Sequence, residues 1–146
     1  MAGPLNEADD RTDGGRPLSG GCLCGAVRYE ASGEPYHCGY CHCVTCRRAS
    51  GAPVVAWFSV KLADFRLVQG ELKRFVSSDH GERRFCADCG SQLLFDDYRY
   101  RDEIDITTAS LDDPGPVRPQ FHLYDRSRIE WVRFGDGLPN HAETRP

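Results

Sequence analysis

Eight cysteines in three short clusters constrain this 146-residue chain more than any other feature. Cys38, Cys41, Cys43 and Cys46 fall within one nine-residue stretch, with Cys22-Leu23-Cys24 before it and Cys86-Ala87-Asp88-Cys89 after it. Four thiols that close together are too dense for ordinary core packing. Met1 to Pro17 has no apolar stretch of the signal-peptide kind. The longest apolar run, Val54 to Phe58, is far too short to span a bilayer. The expected compartment is therefore the cytosol, where thiols stay reduced. Short C-x-C and C-x-x-C spacings there read as metal ligands or reactive groups rather than disulfides.

The rest of the composition agrees. Apolar residues make up 40% of the chain, enough for a modest core but a lean one. A lean core with dense cysteine points to staples that supplement burial. The net charge of -4 argues against general binding to nucleic acid or to anionic membranes. We expect a polar, disordered leader over residues 1–17, one domain over 18–140 and a loose tail over 141–146.

The apolar pattern is that of short strands. Val27 and Tyr29 alternate with Arg28 and Glu30, as do Ile104 and Ile106 with Glu103 and Asp105. Val54 to Val60 reads as a buried strand, and Cys46 to Ser50 as one or two helical turns stopped by Gly51 and Pro53. Phe65 to Val68 and Leu72 to Val76 flank Gly70-Glu71 and read as a hairpin. Arg83 to Cys86 leads into the last cysteine pair and Gln92 to Phe95 leads out. Phe121 to Tyr124 and Ile129 to Val132 read as late strands. The fold class is mainly β, a small antiparallel domain stapled by zinc.

Two ligand sets emerge. Cys22, Cys24, Cys86 and Cys89 supply four sulfurs, the closed set that structural zinc prefers. Gly25 and Gly90 each follow a pair directly, where a tight turn with positive φ lets backbone amides face a thiolate. The sulfurs of Cys24 and Cys86 should then lie within about 4 Å of each other. Cys41, Cys43 and Cys46 form the second set. Three thiolates leave a fourth position open and give the zinc site a formal charge of minus one, favouring a soft, exchangeable thiolate over metal-bound hydroxide. Cys38 offers an alternative: Cys38-x-x-Cys41 with Cys43-x-x-Cys46 would make a second closed site. His42, between two ligands, points to the opposite face of an extended segment. Arg47-Arg48 and Arg83-Arg84 are candidates for binding substrate carboxylates, against the plainer reading of solvated surface charge.

Gly20-Gly21-Cys22-Leu23-Cys24-Gly25-Ala26-Val27-Arg28-Tyr29, Cys41-His42-Cys43-Val44-Thr45-Cys46-Arg47 and Phe85-Cys86-Ala87-Asp88-Cys89-Gly90-Ser91 occur in that order. They resemble the three motifs of the glutathione-dependent formaldehyde-activating enzyme family, whose domain is shared by centromere protein V. The late Leu111-Asp112-Asp113-Pro114, His122 and Asp136-Gly137-Leu138-Pro139 look similar as well. The resemblance implies a zinc-stapled fold of the β-tent kind with two zinc ions per chain. It also implies a carbon–sulfur lyase activity that joins formaldehyde and glutathione, with small-molecule thiol and aldehyde as partners and Cys41, Cys43 and Cys46 as the working site. The alternatives are a non-catalytic zinc module that binds another protein, and a thiol redox or metal-buffering protein.

Overall fold

The computed structural model describes residues 16–144, so nearly all of the expected leader lies outside the described residues. Among the described residues the chain forms β1 (Leu18–Gly21), β2 (Arg28–Ala31), β3 (Tyr36–Cys41), α1 (Val44–Ser50), β4 (Val55–Lys61), β5 (Phe65–Gln69) and β6 (Leu72–Ser78). It continues through β7 (Gly81–Cys86), β8 (Gln92–Asp97), β9 (Glu103–Thr107) and β10 (His122–Leu123). A three-stranded sheet runs β1-β2-β5, and a seven-stranded sheet runs β10-β3-β4-β9-β8-β7-β6. The pairing is antiparallel apart from β10, which lies parallel to β3. Among the described residues no helix is long and apolar enough to cross a membrane.

The two sheets share one core. Alternation turns Val27, Tyr29 and Ala31 inward, where they join Phe58 and Val60 of β4, Leu93 and Leu94 of β8, and Ile104 and Ile106 of β9. The outward residues of β2 take partners at the surface: Arg28 bonds Asp112 and Glu30 bonds Arg66. Tyr29 buries its ring and satisfies its hydroxyl on Ser110 Oγ at 2.6 Å.

The expected hairpin at Gly70-Glu71 does not form. β5 pairs with β2, and β6 pairs with β7, so the short link is a crossing between sheets. Gly70 has φ of 83°, and a Cβ there would meet the Ala26 carbonyl oxygen at 2.3 Å. The crossing thus passes too close to the β1–β2 turn for any side chain. Gln69 fastens β5 to that turn by donating to the carbonyls of Gly25 and Ala26. A glycine between two apolar runs marks a sharp turn of the backbone but does not say which strands pair across it.

The late strands are shorter than expected. Only His122–Leu123 is extended. Ile129 to Val132 forms a turn instead, closed by the Val132 amide on the Ile129 carbonyl, which buries Val132 and leaves Trp131 71% exposed. The expected loose tail is hydrogen-bonded as far as Glu143. The His141 amide bonds the His122 carbonyl, the Asp125 amide bonds the His141 carbonyl, and the Tyr124 amide bonds the Glu143 carbonyl.

One buried carboxylate braces the outer end of the larger sheet. Glu82 on β7 accepts from Tyr98 Oη at 2.8 Å and Arg84 Nε at 3.0 Å, with Arg74 at 3.5 Å. Burial opposes its ionisation, but these donors outweigh burial and bring its pKa below the ordinary 4.5. A lowered folded-state pKa stabilises above the unfolded value and is lost as pH falls through the folded one. Glu82→Gln should therefore destabilise the protein near neutral pH by about 1–3 kcal/mol. The gap to wild type should close as pH drops below 4.5, read from denaturant titrations of both proteins between neutral pH and about pH 3.

Candidate functional site

All eight cysteines are free thiols, and seven fall into two groups whose sulfurs could each hold a metal ion. Cys22 and Cys24 sit in the turn between β1 and β2, and Cys86 and Cys89 in the turn between β7 and β8. Both turns have the same construction. Gly25 and Gly90 adopt φ of 84° and 79°, which turns backbone amides toward sulfur. Val27 N–H donates to Cys22 Sγ at 3.2 Å, and Asp88 and Cys89 N–H donate to Cys86 Sγ at 3.4 and 3.5 Å. The Leu23 amide bonds Ser91 Oγ and ties one turn to the other. The Ser91 hydroxyl also holds the Cys89 thiol down to about 5. Cys24 and Cys86 sulfurs are 3.8 Å apart, as the spacing argument required, and those of Cys22 and Cys24 are 3.6 Å apart. A tetrahedron of sulfurs around zinc, with Zn–S near 2.3 Å, has edges of about 3.8 Å. The donor set and its spacing fit that ion.

The second group stands at a strand-to-helix junction. Cys41 ends β3, Cys43 caps α1 and Cys46 lies in its first turn. The Cys43 sulfur accepts from the Cys46 amide at 3.3 Å, so the cap that starts the helix also gathers the sulfurs. Gly51 ends the helix, its N–H on the Arg47 carbonyl. The three sulfurs lie within 4.8 Å of one another. Hydrogen bonds from Cys41 and Cys46 bring Cys43 down to about 2, and the same contacts push Cys41 up. Cys38 belongs to neither group. It packs against the main core, where burial raises its thiol to about 11.

The trio lines a cavity of about 270 Å³. Trp57, Phe95, Leu123 and Tyr124 supply apolar wall, and Arg83, Arg99 and Asp97 supply charge. Arg99 is already engaged by both oxygens of Asp97. The sequence reading of Arg83-Arg84 as a solvated pair fails for Arg83, which is 6% exposed. Its guanidinium lies 5.0 Å over the Phe95 ring and donates to Cys46 Sγ. Alternation along β7 carried this signal, since consecutive residues face opposite sides and only one arginine of the pair can share the outer face with Glu82. Arg47 stands in the last turn of α1 and is not among the residues that line the cavity.

A polar chain that spacing alone did not disclose runs on the other side of β3. Buried His42 bonds His122 Nδ1 through Nε2 at 2.9 Å, and His122 Nε2 bonds Asp136 Oδ2 at 2.9 Å. Burial, then the neighbouring His122, lower the pKa of His42 and keep it neutral. The Leu138 amide, followed by His122, holds Asp136 below the ordinary carboxylate range. The chain backs the Cys41–Cys43 segment, and the His42 amide on the Leu123 carbonyl pins the same point.

Comparison with known proteins agrees with this geometry. A family profile described as glutathione-dependent formaldehyde-activating enzyme matches residues 17–127. A Halomonas elongata relative, which carries that name provisionally, is 32% identical over 128 residues, covering 80% of each chain. An uncharacterized lyase of Schizosaccharomyces pombe is 36% identical over 76 residues, covering 52% of this chain and 55% of the relative. In fold, the chain is similar to a Rhodobacter sphaeroides protein of known crystal structure, with a TM-score of 0.54 and 24% identity over 85% of this chain and 100% of that one.

If the four-sulfur knot holds zinc, its binding contributes on the order of 10 kcal/mol to folding at neutral pH. Cys86→Ser should then yield insoluble protein, or soluble protein without a cooperative melt and short by one metal equivalent. Elemental analysis and thermal denaturation read both outcomes. A soluble variant that melts cooperatively with full metal content would remove this role from the knot.

Proposed function

The chain belongs to the glutathione-dependent formaldehyde-activating enzyme family, and from that membership we propose that it is a zinc-dependent carbon–sulfur lyase-type enzyme working in the direction of synthesis. It joins an aldehyde such as formaldehyde to a thiol such as glutathione. One observation carries the reading: the sulfurs of Cys41, Cys43 and Cys46 line a cavity, while Cys38 packs into the core. A set closed by Cys38 would offer a substrate nothing.

In this reading Cys22, Cys24, Cys86 and Cys89 would hold a structural zinc, and Cys41, Cys43 and Cys46 would hold a second beside the cavity. When bound, that second ion supplies a soft site that favours a thiolate ligand. The chain supplies the rest. Buried Cys41 and Cys46 fix the rear of the trio, and half-buried Cys43 faces the opening. Trp57, Phe95 and Tyr124 keep water from one side of the reacting atoms. Holding thiol and aldehyde together in so small a volume replaces a chance encounter with an oriented one. As the sulfur–carbon bond forms, the carbonyl π pair moves to oxygen. The proton given up by the thiol ends on that oxygen, leaving a hemithioacetal. A reducing, cytosolic setting suits a protein whose eight cysteines form no disulfide.

Cys43→Ala and Cys38→Ala test this together. Cys43→Ala should lose about one zinc equivalent and all acceleration of adduct formation between glutathione and formaldehyde, followed by exchange NMR. Cys38→Ala should keep both zinc equivalents and most of the rate. Release of zinc by Cys38→Ala would mean a closed site and a non-catalytic module. A wild-type rate equal to buffer would remove this thiol–aldehyde pair as the substrates.

A further inference from the structure

We propose that Arg83 is the built-in counter-cation of the three-cysteine centre, a positioning residue that lets the centre accept an anionic fourth ligand, a thiolate, rather than a neutral one. This deepens the zinc reading above and rests on it.

The inference starts from a buried charge. The Arg83 guanidinium is permanently cationic, and no described carboxylate pairs with it. One terminal nitrogen donates to Gln92 Oε1 at 3.0 Å and the other to Thr45 Oγ1 at 3.0 Å, both neutral acceptors. Both nitrogens also point at Cys46 Sγ, at 3.7 and 3.6 Å, and Nε is buried without a partner. A cation buried without an anion is strongly unfavourable. The groups within reach that can supply negative charge are the sulfurs of the trio. Gln92, Thr45 and the Phe95 face fix where the guanidinium sits, and the cysteines answer its charge.

The centre has the complementary need. Three thiolates and a divalent ion sum to minus one, and a substrate thiolate makes minus two against an apolar wall. Arg83 brings these sums to zero and minus one. On the cavity wall Arg99 and Asp97 pair with each other, and Asp105 accepts from Ser59 Oγ and adds negative rather than positive charge. The charge on Arg83 therefore weighs on anionic ligands and hardly at all on neutral ones, and it acts through Cys46 without touching the substrate.

The test uses the full chain loaded with cobalt(II), whose sulfur-to-metal absorption reports ligand exchange. Arg83→Met should keep the first metal equivalent at wild-type affinity. It should hold the second about tenfold or more weakly in chelator competition, as expected on losing a group that supports a metal ligand. It should also need about tenfold more 2-mercaptoethanol than wild type to reach half-maximal spectral change, with imidazole binding nearly unmoved. Arg83→Lys keeps the charge and should restore most of both effects. An Arg83→Met protein that matches wild type, or an Arg83→Lys protein as impaired as Arg83→Met, overturns the inference. Should Arg83→Met fail to fold, Arg83→Lys decides: it keeps the cation, and a tenfold loss of thiol binding in it overturns the inference. A wild-type chain that takes one metal equivalent overturns the centre itself, which is distinct from two equivalents with Arg83 irrelevant.

Discussion

The contact between the turn carrying Cys22 and Cys24 and the turn carrying Cys86 and Cys89 is the constraint on which the rest of this fold depends. One turn ends the smaller sheet and the other ends the larger. The strands of the three-stranded sheet are only four or five residues long, and the inward side chains of β1 and β2 are buried in the core shared with the larger sheet. The Leu23 amide on Ser91 Oγ joins the two turns, and the sheets they belong to share a core built from Tyr29, Phe58, Leu94 and Ile106. The amide donors to Cys22 and Cys86 prepare those sulfurs as acceptors, so the knot is built into the backbone of both turns.

With the sheets fixed, the larger one is left with two unlike faces. One carries the core. The other carries the trio, Trp57, Phe95 and the buried arginine around a cavity. β3 shows the division within a single strand, for Cys38 packs into the core and Cys41 lines the cavity. The same strand borders the His42–His122–Asp136 chain, so the segment bearing Cys41 and Cys43 is restrained from behind. Rigid support of this kind lets a short loop with three sulfurs hold its shape beside a cavity.

The cysteine spacings carried both groups of sulfurs and their separation, because C-x-C and C-x-x-C are local and the turn glycines announce the backbone they need. Alternation carried the inward faces of β2 and β9 for the same reason. Pairing was not local. The Gly70 link looked like a hairpin because its flanking runs are apolar and short, yet each run found a better partner elsewhere: β5 beside β2 with an Arg66–Glu30 pair, and β6 beside β7. Ile129 to Val132 had the composition of a strand but no neighbouring edge to pair with, and it closed on itself.

The sequence by itself therefore determined the class of fold, the two sulfur groups and the family, since each is written in residues a few positions apart. The tertiary structure decided which of eight thiols stands aside and which arginine is buried. Cys38 is as close to Cys41 in the chain as Cys46 is to Cys43, and β3 remaining extended through Cys41 puts the first two on opposite faces while the helical turn of α1 brings the last two together. Arg83 and Arg84 are equal in the sequence. The sheet gives one to Glu82 and Asp96 at the surface and the other to a cysteine beneath a cavity. Burial and facing are properties of packed strands, and no local pattern of residues contains them.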